Sequence, residues 1–323
     1  MNIAFVTGYI GFGIPYIHKL SQLPKNADAY FMTNNPLVIN YIIESKLPIK
    51  PILIPNIKVL RGGPRLRKKT GKRRWDRVKI LHKNTLHSKS LKVFPQKFIE
   101  KKYDFIIWHD NKIEVNIKDT VSFIKNWNNN FALAVHKHPI CKNVKHEFKL
   151  SQRQRRYQID LMKNLRYIKK CQKKNLVVDY KFHAQTGFII YNLTNPVTFD
   201  LQNRWFNHIK RCGIECQISF NLFRQTCEEY ICDYPFNIYS ESSDEYKVTP
   251  EIDVPLEESF NEGDLVPLDT LSNGSDVSLE KKILSDDVLP ACVDSEDSEC
   301  CEDNKKEQYQ MESADSLRHM DIN

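Results

Sequence analysis

The feature that most constrains the fold is a series of short apolar runs, each of which ends in polar or glycine-containing residues. Four of these apolar runs are Ile3 to Thr7, Ala27 to Thr33, Phe105 to Trp108 and Phe131 to Val135. The stretches between most of them carry helical patterns, and strands that alternate with helices indicate a mostly parallel sheet. We therefore predict an α/β fold, Rossmann-like, with a mixed, mostly parallel central sheet flanked by helices.

The charge divides the chain into two parts. Residues 241–323 carry 24 Asp and Glu against 6 Lys and Arg, a net charge of −18. Residues 1–240 carry the other 42 basic and 16 acidic residues, a net charge of +26. A strongly acidic segment with few aromatic residues cannot bury enough apolar surface to offset the entropy of ordering. We predict a folded domain over 1–240 and a disordered acidic tail over 241–323.

The sequence contains no apolar run long enough to span a bilayer, which predicts no transmembrane segment. Residues 1–7 enter a strand directly, without a basic leader, so we expect no signal peptide and a cytoplasmic location. In that setting the cysteines are expected to be reduced thiols. The series Cys212, Cys216, Cys227 and Cys232 has spacings that match no common zinc-ligand motif.

Two helices and one turn are further expectations. We predict a helix over Pro15 to Leu23 after the turn that contains Gly8, Gly11 and Gly13, and one long basic helix over Phe148 to Lys174. Thr7 and Gly8 end the first strand, where a backbone can approach a nucleotide closely, although a simple strand-to-helix turn needs the same residues.

The run Phe105 to Trp108 is followed abruptly by His109, Asp110, Asn111 and Lys112. Ligands of open α/β sheets bind at the carboxyl edge of the strands, and a carboxylate at that edge can hold a divalent cation that is shared with a diphosphate. Asp110 is thus a candidate for the metal and donor site, with a turn-capping role as the alternative.

His136 and Glu147 form a second polar cluster, after the run Phe131 to Val135. Glu215 lies near a predicted helix start, where the helix dipole favours a carboxylate.

Several motifs occur together in one order. They are Thr33-Asn34-Asn35, Arg73 to Leu81 with Lys79, Phe94-Pro95, Trp108-x-Asp110-x-Lys112, His136 with Cys141 and Glu147, Gly187 to Ile190, Trp205-Phe206 and Gln217-Ile-Ser-Phe220. Over about residues 2 to 230 the series resembles the TOD/MUCI-type glycosyltransferase family, formerly a domain of unknown function.

This resemblance implies a GT-A-like fold, a nucleotide-sugar donor, a glycan or glycoconjugate acceptor, and a divalent metal, Mn²⁺ or Mg²⁺, as in polysaccharide biosynthesis. In it, Asp110 matches the family's metal or diphosphate residue, with Lys112 beside it, and Lys79 and Gln217 match two further motif positions. We add Asn34, and Thr7 and Gly8 at the end of the first strand, to the predicted donor site. The candidates for the general base are Glu147, Glu215 and His136.

The chain departs from the family pattern at two places. Asn34 stands where the family often has Asp, and Glu215-Cys216 stands where the family has Arg-Asp before the Gln-Ile-Ser-Phe motif. Glu215 then substitutes for the missing Asp, or the site is altered, or the member is inactive. Two alternatives to an enzyme follow: a protein that binds nucleic acid through 61–92 and 148–174, and a glycosyltransferase homologue that binds glycans without turnover. We expect no nucleic-acid partner, because aromatic residues do not interleave the basic stretches.

Overall fold

The computed structural model describes residues 1–11, 13–17, 20, 23–54, 71–180 and 182–238, without the side chains at 71–81 and 155–156. The strands are β1 (Ile3–Tyr9), β2 (Ala27–Thr33), β3 (Lys50–Leu53), β4 (Phe105–His109), β5 (Leu133–Lys137), β6 (Ala184–Asn192) and β7 (Ile231–Tyr234). The helices are α1 (Pro36–Glu44), α2 (Gly71–Val93), α3 (Ile117–Lys125), α4 (Val144–Ser151), α5 (Arg155–Gln158), α6 (Leu161–Gln172), α7 (Thr198–Cys212) and α8 (Cys216–Arg224).

The strands form one seven-stranded sheet in the order β3-β2-β1-β4-β6-β5-β7. Strand β6 runs antiparallel to its neighbours β4 and β5, and the other pairs are parallel. The predicted α/β class, with a mixed and mostly parallel sheet flanked by helices, is confirmed.

Helices cover both faces of the sheet, which explains why the central strands are apolar along their whole length. All five residues of β4 are buried. Helices α2, α7 and α8 pack on one face, the α8 face, where Trp205 is the largest fully buried side chain. Helices α1 and α3 pack on the other, the α3 face, through Val38, Ile42 and Ile124.

The sheet contains a topological switch point between β1 and β4. From β1 the chain proceeds to β2 and β3 on one side, and it then returns to place β4 on the other side of β1. At such a reversal the connections leave in opposite directions, and a crevice opens beyond the carboxyl ends of the two strands. This edge is where a ligand of an open α/β sheet is expected.

Two helix predictions are wrong in the described residues. Among 15–23, the residues that the structure describes form no helix; instead, Ile17 and Leu20 pack against the core of the α3 face. Ile17 and Leu20 are three residues apart, which is also the spacing of neighbours on one face of a helix. The single helix predicted over 148–174 is three helices, α4, α5 and α6. Asp160 lies at the second of the two breaks, between α5 and α6, where it bonds to His82 and to the backbone of Ile214.

None of the described helices is both long and apolar enough to cross a membrane. The six cysteines of the described part are free thiols. The basic residues at 61–70 and the acidic tail at 241–323 lie outside the described residues, so the predictions about them remain predictions.

Candidate functional site

The carboxyl ends of β1, β2 and β4 bring several of the predicted residues to one edge of the sheet. Gly8 lies in register with Met32 of β2, and Val6 lies in register with Trp108 of β4. Asn34 follows β2, and its Oδ1 accepts a hydrogen bond from the backbone N–H of Gly11 at 3.1 Å. Asn34 thus holds the turn after β1 against the end of β2.

The end of β1 is closely packed. A Cβ atom on Gly8 would lie 3.0 Å from the carbonyl oxygen of Met32 and 3.4 Å from the Trp108 ring, so glycine permits this approach. The Oγ1 of Thr7 is buried and has no hydrogen-bond partner among the described residues. It lines a small cavity on the α3 face together with His109 and Asn111. Because an unpaired buried hydroxyl costs free energy, Thr7 is available to a ligand or a water molecule.

Asp110 occupies the corner directly after β4. Its Oδ1 lies 3.0 Å from the Nζ of Lys92 and accepts a hydrogen bond of 3.0 Å from the Nε1 of Trp108. The backbone N–H of Asp110 donates to the carbonyl of Gly187 in β6 at 2.7 Å. The Asp110 side chain is 44% exposed and that of Lys92 only 6%. A buried ammonium group is therefore paired with a partly exposed carboxylate at the carboxyl edge of the sheet.

The positive charge of α2 determines the ionisation of Asp110. Although the Asp110 side chain is 44% exposed, partial desolvation by the surrounding protein acts to raise its pKa, but the charges of Lys92 and Lys89 and the hydrogen bond from Trp108 together hold the pKa of Asp110 below its ordinary value. Asp110 is thus a carboxylate at neutral pH.

A divalent cation does not fit the side chains at this corner. Such an ion is bound by carboxylate oxygens and by substrate phosphates. Here the ammonium of Lys92 is already paired with Oδ1 of Asp110, and Lys89 adds a second positive charge. Both charges repel a further cation. Asp110 fits a lysine-paired carboxylate better than a metal ligand.

Strand β6 carries an irregularity beside Asp110. The register with β5 shifts between Val135 and His136, and this leaves residues 186–188 of β6 without partners in β5. A Cβ atom on Gly187 would lie 3.3 Å from Oδ2 of Asp110 and 3.1 Å from Ile113. Glycine at this position leaves room for the carboxylate, as is common for bulges near functional sites.

The first turn of α8 binds to this bulge. The Oε1 of Gln217 accepts a hydrogen bond of 3.2 Å from the backbone N–H of Thr186, and the Cys216 thiol lies 3.3 Å from the Thr186 hydroxyl. Glu215 is buried and caps the helix, because its Oε1 accepts from the backbone N–H of Gln217 at 3.2 Å. Gln217 and Glu215 are therefore linked to Asp110 through two residues of β6.

Glu147 lies in a second cluster, in α4. Its Oε2 pairs with the Nε2 of His183 at 3.2 Å, and its carboxylate also bonds to the Cys141 thiol. Burial acts to raise the pKa of Glu147, but the hydrogen bonds from His183 and Cys141 outweigh burial and lower the pKa. Burial and the nearby Glu147 charge raise the pKa of the Cys141 thiol.

His136 is on the α3 face at the end of β5, where its ring centroid lies 6.4 Å from that of Tyr234. Burial lowers the pKa of His136, so the ring is neutral at pH 7. A neutral ring can accept a proton, and the Nδ1 atom is buried without a hydrogen-bond partner among the described residues.

The two lysines predicted for the donor site have different outcomes. Lys79 belongs to α2, but its side chain lies outside the described residues. Lys112 is exposed in the turn after Asp110. Sequence reasoning missed Lys92, the lysine that contacts Asp110. The available signal was the spacing of Lys89 and Lys92, one helical turn apart just before the central strand.

No protein-family model matches the chain, and no curated protein matches it. Among solved structures, mouse xyloside xylosyltransferase 1 in its apo form is similar with a TM-score of 0.43 and 12% identity, over 72% of this chain and 85% of that chain. The apo bifunctional glycosyltransferase WbbM is similar with a TM-score of 0.39 and 11% identity, over 72% of this chain and 39% of that chain. We therefore argue the function from the side chains at the site.

Proposed function

We propose that the protein is a glycosyltransferase that transfers a sugar from a nucleotide-sugar donor to a glycan or glycoconjugate acceptor. The observation that carries the proposal is the pair formed by buried Lys92 and partly exposed Asp110 at the carboxyl edge of β1 and β4. A crevice at this switch point is the place where α/β sheets bind nucleotides. The resemblance of the sequence to the TOD/MUCI-type family supports the same reaction.

The positive charges suit the leaving group of this reaction. As the bond between the anomeric carbon and the diphosphate breaks, the electron pair leaves with the nucleoside diphosphate, whose negative charge grows. Preorganised cations stabilise that charge. Lys92, oriented by Asp110, and the neighbouring Lys89 would supply the positive charge. The exposed Lys112 lies after Asp110 and would add to it. In this proposal Asp110 positions Lys92 and offers Oδ2 to a hydroxyl group of the donor.

The acceptor hydroxyl attacks the anomeric carbon and must lose its proton to a base. Glu147, Glu215 and His136 are the candidates. We favour Glu215, because the helix turn that it caps contacts Thr186, next to the glycine that packs against Asp110. Glu147 is the weaker candidate, because it lies in the second cluster, where its carboxylate pairs with His183 and Cys141 rather than with a segment that packs against Asp110.

Calorimetric titration with UDP, GDP and a panel of their sugar conjugates tests the proposal, followed by assays of donor hydrolysis with and without Mn²⁺. We expect Lys92→Met to weaken binding of the preferred donor by about tenfold or more, because the variant loses both the positive charge near the diphosphate and the partner that orients Asp110. The matched control is Lys125→Met, which removes an exposed lysine of α3. A wild-type protein that binds none of these nucleotides would refute the proposal.

Asp110→Asn separates the enzyme from the two alternatives. An enzyme loses turnover while its fold, followed by circular dichroism, is retained. A nucleic-acid-binding protein or a non-catalytic glycan-binding protein instead binds its partner as before. The comparison of donor hydrolysis with and without Mn²⁺ tests the metal that the family resemblance implies. If turnover requires Mn²⁺, the protein has a site for this ion in spite of the Lys92 charge.

A further inference from the structure

A second group of side chains lies outside the site at Asp110. His138 follows β5, Cys141 lies in the loop after it, and Glu147 is in the first turn of α4. One potential ligand atom from each of the three residues lies within 4.8 Å of the other two. This is the only group of three or more His, Cys, Asp and Glu ligand atoms found among the described residues.

The chemical composition of this group suits zinc. Zn²⁺ is bound in proteins by thiolate, imidazole and carboxylate ligands at about 2.0–2.3 Å, so ligand atoms around one ion lie roughly 3–4 Å apart. A group that is already within 4.8 Å needs only a small contraction to reach those separations. Cys141 and Glu147 are buried and His138 is half-buried, so an ion there would be shielded but would have a way in from the His138 side.

Hydrogen bonds hold two of the three ligands, His138 and Glu147, in place before any ion binds. The N–H of His138 donates to the carbonyl of His183 at 2.7 Å. Asn143 caps α4, because its Oδ1 accepts from the N–H of His146 at 2.9 Å, and this fixes the turn that carries Glu147. His183 fixes the carboxylate itself through the 3.2 Å pairing with Oε2. Preorganisation of this kind lowers the entropic cost of binding.

The protonation state of His138 is compatible with a metal ligand. Its Nδ1 lies 2.9 Å from the backbone N–H of Cys141 and 3.1 Å from that of Ile140, both of which donate to it. The lone pair is therefore on Nδ1 and the proton of the neutral ring is on Nε2. A metal ion would replace the two backbone donors at Nδ1.

We propose that His138, Cys141 and Glu147 form a zinc site, with His183 as the residue that positions Glu147. On binding, the Cys141 thiol transfers its proton to solvent, and the thiolate, the carboxylate and the Nδ1 lone pair bind the ion. The fourth position is left for water or another ligand. This site does not depend on the proposed glycosyl transfer, and it would join the loop after β5 to α4.

The full chain is purified without a histidine tag, incubated with excess Zn²⁺, and passed through gel filtration before its metal content is measured by mass spectrometry. We expect about one zinc per wild-type chain and a higher thermal midpoint, because a ligand that binds the native state stabilises it. The variants Cys141→Ala and Glu147→Gln should lose the zinc. Cys227→Ala, which removes a buried thiol elsewhere, is the matched control and should keep it.

Three results would overturn the site: wild-type protein without stoichiometric zinc, variants that retain it, or a control variant that loses it equally. If the Cys141 and Glu147 variants fail to fold, the absorption spectrum of the wild-type protein loaded with Co²⁺ tests the site instead. A thiolate-to-cobalt absorption band that Zn²⁺ abolishes supports the site. Its absence refutes a site that contains Cys141.

Discussion

A single glycine residue sets the geometry between α7 and α8. Gly213 has φ 111° and ψ −172°, a conformation that is essentially restricted to glycine, and a Cβ atom there would lie 2.5 Å from Oδ2 of Asp160. The same Asp160 oxygen accepts a hydrogen bond of 2.9 Å from the N–H of Ile214 and pairs with His82 at 2.7 Å. Any side chain at 213 must therefore displace a carboxylate that holds α2 against this corner.

We expect Gly213→Ala to lower the free energy of unfolding by about 2–4 kcal/mol, from backbone strain together with the clash. Gly13→Ala is the matched control: Gly13 has φ 71°, but a Cβ atom there meets nothing within 4 Å. The control should lose only about 1 kcal/mol, the cost of a left-handed backbone. Urea unfolding of both variants measures the difference, and equal losses would show that the Asp160 contact is irrelevant.

At the scale of elements, α8 is attached to β6 by amide side chains and not only by apolar packing. Asn221 accepts from the backbone N–H of Ala184 at 2.6 Å and donates to its carbonyl at 3.1 Å. One turn earlier, Gln217 binds the N–H of Thr186. These amides supply partners that the irregular start of β6 lacks, and they keep the α8 N-terminus beside the candidate site.

Asn221→Ala should destabilise the protein by about 1–3 kcal/mol, because the N–H of Ala184 remains buried without an acceptor. The control is Gln225→Ala at the other end of α8, where the amide makes the same kind of contact to Val177 at the surface. Water can replace that contact, so the control should lose less than about 1 kcal/mol. Chemical denaturation checks both, and similar losses would mean that α8 is held mainly by its apolar side chains.

At the scale of the whole molecule, the described core ends at Ile238. Its side chain is fully buried, and its carbonyl accepts a hydrogen bond of 3.1 Å from the N–H of Asn116. The predicted boundary at 240 follows two residues later. The prediction that 241–323 is a separate tail can therefore be tested by truncation.

A chain that ends at residue 240 should unfold at a thermal midpoint close to that of the full chain, since the described core is kept. A chain that ends at residue 230 lacks β7 and Ile238. Its free energy of unfolding should fall by several kcal/mol, or the chain should fail to fold. Scanning calorimetry compares the three. A large loss on truncation at 240 would show that the acidic segment contributes to the folded domain, contrary to the prediction from charge.

The sequence by itself determined the fold class and most of the strands. Buried strands must be apolar along most of their length when helices cover both faces, so β1, β4 and β5 could be located from their residues alone. The polar corner at Asp110 was predictable for the same reason, because an apolar run that turns polar marks the end of a buried strand. The cytoplasmic location and the TOD/MUCI-type family remain predictions.

Only the tertiary structure decided which charged group meets Asp110 and where the basic helix breaks. Lys92 is separated from Asp110 by a whole connection, and the contact depends on how α2 returns across the sheet. Likewise, Asp160 lies at one of the two breaks in the predicted helix over 148–174, and its partners, His82 and Ile214, come from distant segments. Local patterns report local burial and propensity. Contacts between distant residues depend on the packing of the whole chain, which no single stretch of sequence contains.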